Sequence, residues 1–441
     1  MNKNLRETAV KHLWHPYTDI VSFEKTDFPI VDRAEGVYLY EMDGKKLLDG
    51  ISSWWCVNLG HSQPRLVKAI KEQAEKLQNS ILGGMSHPTA IKLSEKLAEL
   101  APGDLNHVYF AGDGASATEA ALKISIQYWC NIGVKNRTKF ICLQDGYHGD
   151  TLGAVGVGYV EKFHKKFEGV IQKSFRACSP HCADCPHGKR PGMCDVECFG
   201  SMESLIRKHH NETAAVILEP LCQGAAGIRI YPEEYLRRLR KLCDEFSLLL
   251  IVDEIAVGFA RTGAMFACEL AGIVPDLMLI GKGLTGGYLP MSGVVVRDRI
   301  YNSFRSDSEN DRTFYHGHTY CGNPICSNLA LAALELYDEM NILELIKPRI
   351  LQLKEGLNEI GRKLQTSTVL TLGMIGVIEI SEADGGSERA VKIKARAREL
   401  GLFIRPLGPA VYLWPPLVCT EEELGEMIAI LNQAVVETAC P

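Results

Sequence analysis

Between residues 107 and 284 the chain alternates short, unbroken apolar runs with helical stretches, and chemically capable residues sit where the runs end. Residues 107–112 (HVYFAG), 139–144 (KFICLQ), 214–220 (AAVILEP), 248–255 (LLLIVDEI) and 275–284 (PDLMLIGKGL) read as strands. Residues 120–129 and the amphipathic stretch 233–246 (EEYLRRLRKLCDEF) read as helices. A strand open to water on one face alternates apolar with polar residues, whereas one buried on both faces does not need to. The pattern therefore predicts a large, mainly parallel sheet covered by helices, an α/β fold. In such sheets ligands collect beyond the carboxyl ends of the strands. Residues 112–116, 146–148, Glu219, Asp253, Glu254 and Lys282 all fall there.

A chain of 441 residues exceeds one simple core, so two or three packed units are expected. Residues 36–50 (GVYLYEMDGKKLLDG) suggest a hairpin at Asp43-Gly44, and a long helix (SNLALAALELYDEM) follows Asn323 before mixed structure runs to the end. The expected division is a large domain over 61–324, flanked by a smaller α/β domain built from both chain ends, 1–60 and 325–441. Net charge is −6 with no Lys/Arg run, which argues against nucleic acid or an anionic membrane as the main partner. The first 20 residues lack the apolar core of a signal peptide. The apolar runs are far shorter than the roughly 20 residues of a membrane span. A cytoplasmic location is the expectation, and there the 15 cysteines are not by default disulfides.

Lys282 stands in GKGLTGG directly after an apolar strand, where glycines let a cofactor approach the backbone. Desolvation there would favour the free amine that a Schiff base requires. A surface lysine at a turn is the alternative. Asp253 ends LLLIVDEI; a carboxylate so placed needs a partner, and a protonated pyridine nitrogen, a helix N-terminus or a metal would each serve. The stretch 112–116 (GDGAS) enters a helix with small residues, leaving backbone N–H groups for a phosphate. Tyr147, in GYHGDT, offers an aromatic face to a ring or simply packs beside a turn.

Taken together, GDGASATEAALK, GYHGDT, ILEP, DEIAVGFARTG, GKGLTGG and HGHTYCGNP resemble, in that order and over almost the full chain, the class III aminotransferases of pyridoxal-phosphate (PLP) fold type I. HLWHPYT (12–18), DGISSWWCVNLGH (49–61) and IRPLG (404–408) are similar to the branch that aminates 8-amino-7-oxononanoate in biotin synthesis. Another class III enzyme acting on an ω-amino acid or diamine is the competing reading. The resemblance implies that Lys282 carries PLP and moves the proton, and that Asp253 pairs with the pyridinium nitrogen. Tyr147 would cover one ring face, and Gly114 and Ala115 would bind the phosphate. Gly317, His318 and Thr319 would reach the site from a neighbouring subunit, making the active unit a homodimer. Tyr17 joins Lys282 and Asp253 as a candidate catalytic residue and lines the substrate site with Trp54. Arg405 would bind a substrate carboxylate, and Glu219 and Arg261 would organise the site.

Two features depart from that pattern. Trp54-Trp55 resembles members that take the amino group from S-adenosylmethionine, but His316-Gly317-His318-Thr319 has a histidine at a position where those members typically have proline. The HGH loop and GYLP (287–290) are more like a lysine-using branch. The second is a cysteine-rich insert over 178–198, in which Cys182, Cys185, Cys194 and Cys198 could form a structural zinc site. An iron–sulfur cluster or a metal-free loop is compatible with the same residues. A metal- or redox-responsive binding protein on an inactive scaffold would rest on this insert alone.

Overall fold

The computed structural model describes residues 2–190, 192–365 and 367–439. The apolar runs become a seven-stranded sheet: β1 (Leu105–Ala111), β2 (Lys139–Leu143), β3 (Phe175–Ala177), β4 (Thr213–Leu218), β5 (Leu249–Asp253), β6 (Leu277–Ile280) and β7 (Ser292–Arg297). Their spatial order is β1-β7-β6-β5-β4-β2-β3. Pairing is parallel from β6 through β5, β4 and β2 to β3, and β7 alone runs against its neighbours. Every residue of β4, β5 and β6 is buried, which is why these segments carry no alternating polar residue.

The helix Gly114–Asn131 follows β1, and Asp113 caps it by accepting from the Ser116 N–H at 2.9 Å. The helix Glu233–Glu245 precedes β5 with its apolar stripe, including Leu236, Leu239 and Leu242, turned inward. Cys142, Cys243 and Cys268 are wholly buried, as small core residues would be. All described cysteines are free thiols.

The chain ends meet. Tyr38–Glu41 and Lys46–Asp49 form the hairpin at Asp43-Gly44, where Gly44 has φ 89° and the Lys45 N–H donates to Asp43. Leu402–Phe403 then pairs in parallel with Lys46–Asp49, Leu402 facing Leu48 and Phe403 facing Asp49, 354 residues away in sequence. Ala410–Leu413 belongs to a second, three-stranded antiparallel sheet with Thr368–Leu372 and Ile375–Glu379. The helix Pro324–Glu339 packs on Pro64–Lys76 and Pro88–Leu100.

Arg261 joins these parts. Its guanidinium is wholly buried and donates to the carbonyls of Pro415 (2.6 Å) and Met374 (3.2 Å) and to Asn58 Oδ1 (2.8 Å). Burial is the main cause that lowers its pKa to about 9. Removing the donors leaves buried acceptors unpaired, so Arg261→Met should destabilise the protein by about 3 kcal/mol, read as an earlier urea midpoint. A midpoint equal to the wild type's would exclude a structural role for Arg261.

Candidate active site

β5 and β6 are neighbours in the sheet, so the residues that end them share one edge. Asp253 closes β5, and Lys282 stands two residues beyond β6 with φ 42°, a left-handed backbone that turns its side chain back over the sheet edge. The Lys282 amine is buried, 4.9 Å from the centre of the Trp55 ring. Burial lowers its pKa; the nearby Asp253, Glu219 and Cys56 pull the other way.

Asp253 is held by two donors. Oδ2 accepts from His148 Nδ1 at 2.7 Å, and Oδ1 accepts from the Ile255 N–H at 3.0 Å. His148 is buried, and its Nε2 has no hydrogen-bond partner among the described residues. Sequence reading placed 146–148 at the sheet edge but gave a role only to Tyr147 and none to the histidine beside it. Nothing local says that residue 148 reaches residue 253.

Gly114 and Ala115 open the long helix and line a cavity of about 710 Å³ together with Lys282, Asp253, Tyr147 and Glu219. The close approach of loop 146–149 to this helix end depends on Gly149. With φ 116°, a Cβ there would fall 2.3 Å from that of Ala115. A Cβ at Gly114 would meet Ile255 at 3.0 Å. One wall is thus backbone amides at a helix N-terminus, the arrangement that suits a phosphate.

Glu219 is buried and accepts from the N–H groups of Tyr147 (3.0 Å) and Gly224 (2.8 Å). Burial, with the charge of Asp253 adding to it, pushes its pKa from 4.5 up to about 7. The folded chain therefore holds a proton that the unfolded chain releases. This contribution to stability is complete below about pH 4.5 and is lost as pH rises through about 7. In cofactor-free protein, Glu219→Gln should accordingly flatten the fall in melting temperature across that window relative to wild type. Equal slopes for the two proteins would show that Glu219 titrates normally.

At the mouth of the cavity, Asp150 gathers two tyrosines. The Tyr17 hydroxyl donates to it at 2.6 Å and that of Tyr147 at 2.9 Å, and the two hydroxyls lie 3.4 Å apart. Burial and the Asp150 carboxylate push Tyr17 up to about 12, so at neutral pH it keeps its proton and acts as a donor. Asp150 was not anticipated from the sequence. The Trp54 ring lies 6.2 Å from that of Tyr17, with the Arg405 guanidinium 4.4 Å from its centre. Among the described residues Arg405 forms no ion pair.

The class-III aminotransferase profile matches residues 21–435. This chain belongs to the class-III aminotransferases. It is 38% identical to the adenosylmethionine-8-amino-7-oxononanoate aminotransferase of Aquifex aeolicus, over 99% of this chain and 98% of that one. The corresponding protein of Methanocaldococcus jannaschii is 37% identical, over 99% of both chains. The crystal structure of the Methanocaldococcus jannaschii aminotransferase superposes with a TM-score of 0.92 over 99% of both chains. A transaminase from Virgibacillus superposes at 0.91, with 29% identity over 99% of both chains.

PLP is the cofactor of class-III aminotransferases, and this site fits it. A buried amine, a carboxylate held in place by a histidine, a helix N-terminus and a tyrosine face converge on one cavity. Two groups of expected residues are not brought to it. Gly317, His318 and Thr319 lie on an exposed stretch outside the lining of this chain's own cavity. The cysteine insert is also separate. The thiols of Cys182, Cys185, Cys194 and Cys198 lie near enough to influence one another, and burial pushes Cys182 up to about 12. Yet among the described residues no three His, Cys, Asp or Glu side chains converge to hold a metal. The expected zinc site is therefore not assembled: Cys182 and Cys198 pack against the apolar core instead.

Proposed function

We propose that this class-III aminotransferase transfers an amino group to the ketone of 8-amino-7-oxononanoate, forming 7,8-diaminononanoate, with S-adenosylmethionine as donor. The observation that carries the reading is Arg405. A guanidinium with no ion-pair partner among the described residues, set over the Trp54 ring and next to Tyr17, whose partner Asp150 lines the cavity that holds Lys282, is suited to a long substrate with a carboxylate at one end and a ketone at the other. The similarity to adenosylmethionine-8-amino-7-oxononanoate aminotransferases over nearly whole chains supports the same substrate.

In this reading Asp253 would pair with the ring nitrogen of PLP, Gly114 and Ala115 would hold its phosphate and Tyr147 would cover one face. Bound PLP supplies the electron sink that makes the α-hydrogen of an amine acidic. Lys282 Nζ, whose affinity for a proton burial lowers, would take that proton from the substrate carbon and return it to the cofactor carbon on the other side of the shared nitrogen. His148 Nδ1 and the Ile255 N–H keep the Asp253 carboxylate aimed. Tyr17 and Tyr147, joined through Asp150, close one side of the mouth against water. The exposed residues Gly317, His318 and Thr319 would complete a partner's phosphate site in a homodimer.

Lysine is the second donor reading, favoured by the resemblance of the HGHT loop (316–319) and of GYLP (287–290) to a lysine-using branch. Mixing the yellow enzyme separately with each donor distinguishes them. Bleaching of the visible band by S-adenosylmethionine alone, restored by 8-amino-7-oxononanoate, is the expected result. Bleaching by lysine alone overturns the donor and keeps the substrate. Failure of both donors, with no restoration by the keto acid after chemical amination of the cofactor, overturns the reading.

A further inference from the structure

Asp49 and His61 stand outside the cavity lining, and the transamination chemistry leaves them without a task. Between them runs a strained elbow. Ser52, Ser53 and Trp55 have φ of 50°, 59° and 63°, a left-handed conformation that disfavours any residue with a Cβ. Such a segment persists only where its surroundings fix it. Asp49, with no exposed surface, does much of this. Its Oδ1 accepts from the N–H groups of Ser53 (2.8 Å) and Ile51 (3.3 Å), and its Oδ2 accepts from Ser53 Oγ (3.0 Å) and His61 Nε2 (2.9 Å). The imidazole is itself anchored, since His61 exchanges two backbone hydrogen bonds with Gly36.

The elbow sends two successive tryptophans to different parts of the site. Trp54 stays at the rim beneath Arg405 and beside Tyr17. Trp55 turns inward, stacks on Trp414 at 5.1 Å, donates to the Tyr412 hydroxyl at 3.2 Å and offers its face to Lys282. The other side of the elbow has separate restraints: Ser52 Oγ donates to the Trp414 carbonyl, and the Trp414 N–H donates to the Gly50 carbonyl, both at 2.7 Å. Those bonds secure Trp55. What the carboxylate adds is the orientation of Ser53, and through it that of Trp54.

We infer that Asp49 and His61 are positioning residues for substrate binding: the pair fixes the elbow so that Trp54 and Arg405 form one wall for the substrate's carboxylate end. The inference rests on the substrate reading above. The pair acts through Trp54 and leaves the proton transfer at Lys282 untouched, so binding should change while the chemical step does not.

The test uses the PLP-loaded enzyme and steady-state kinetics with 8-amino-7-oxononanoate. His61→Leu should raise KM about tenfold while kcat stays within about threefold, and His61→Gln, which keeps an N–H donor, should restore KM to within about twofold. Asp49→Asn should follow His61→Leu. In a Trp54→Ala background, His61→Leu should add nothing further to KM, because the route to the substrate is already cut. Additive effects of His61→Leu and Trp54→Ala overturn the inference. So does an unchanged KM in His61→Leu and Asp49→Asn alongside a lowered melting temperature, which would make the pair a fold restraint only. Should His61→Leu not accumulate, His61→Met, which likewise has no N–H donor, carries the same comparison. If wild type does not turn over 8-amino-7-oxononanoate, the substrate reading fails on its own. The variants are then compared by the KM of whichever donor bleaches the wild-type enzyme, with the same outcomes deciding.

Discussion

Lys282→Ala is expected to lower turnover by roughly 10⁴-fold, because it removes both the nucleophile and the group that moves the proton. The physical setting makes the experiment clean. The lost amine is buried at an energetic cost, reflected in its lowered pKa, and its left-handed backbone is no worse for alanine than for lysine. The variant should therefore melt no lower than the cofactor-free wild type while failing to develop the wild-type visible band. Retention of activity within about tenfold would move the chemistry to another residue.

The second large effect belongs to Asp253. Asp253→Asn keeps the volume and an acceptor for the His148 or Ile255 donor but removes the charge that would favour a protonated ring nitrogen. An electron sink weakened in this way should reduce kcat by about 10²- to 10³-fold with cofactor still bound. Cofactor occupancy from the visible band, measured beside kcat, separates lost chemistry from lost binding. A kcat within about fivefold of wild type would mean that the carboxylate serves the fold, through His148 and Ile255, rather than the reaction.

Much of this site could be read along the chain because burial leaves a local record. β4, β5 and β6 are buried on both faces, so their sequences are unbroken apolar runs, and the residues that end or follow them, Glu219, Asp253 and Lys282, reach one edge by sheet topology alone. The hairpin at Asp43-Gly44 was legible for a similar reason, since its turn needs residues that tolerate positive φ. Four cysteines at suggestive spacings misled, because spacing says nothing about where side chains pack: Cys182 and Cys198 pack against the core, and among the described residues no three ligands converge.

The sequence by itself determined that apolar strands alternate with helices and that Asp253 and Lys282 end or follow two of them, since burial leaves a pattern that repeats over a few residues; the roles given to the two came from the resemblance of their motifs. Only the tertiary structure decided how these residues are supported. His148 on Asp253, Tyr17 on Asp150 and Arg261 on Pro415 are pairs more than 100 residues apart, and the pairing of Leu402–Phe403 with Lys46–Asp49 spans the molecule. Even His61 on Asp49, close in sequence, depends on the Gly36 bridge that brings the imidazole back. Hydrogen bonds across such separations leave no periodic pattern in the sequence, because their geometry is set by how distant elements stack rather than by the residues between them.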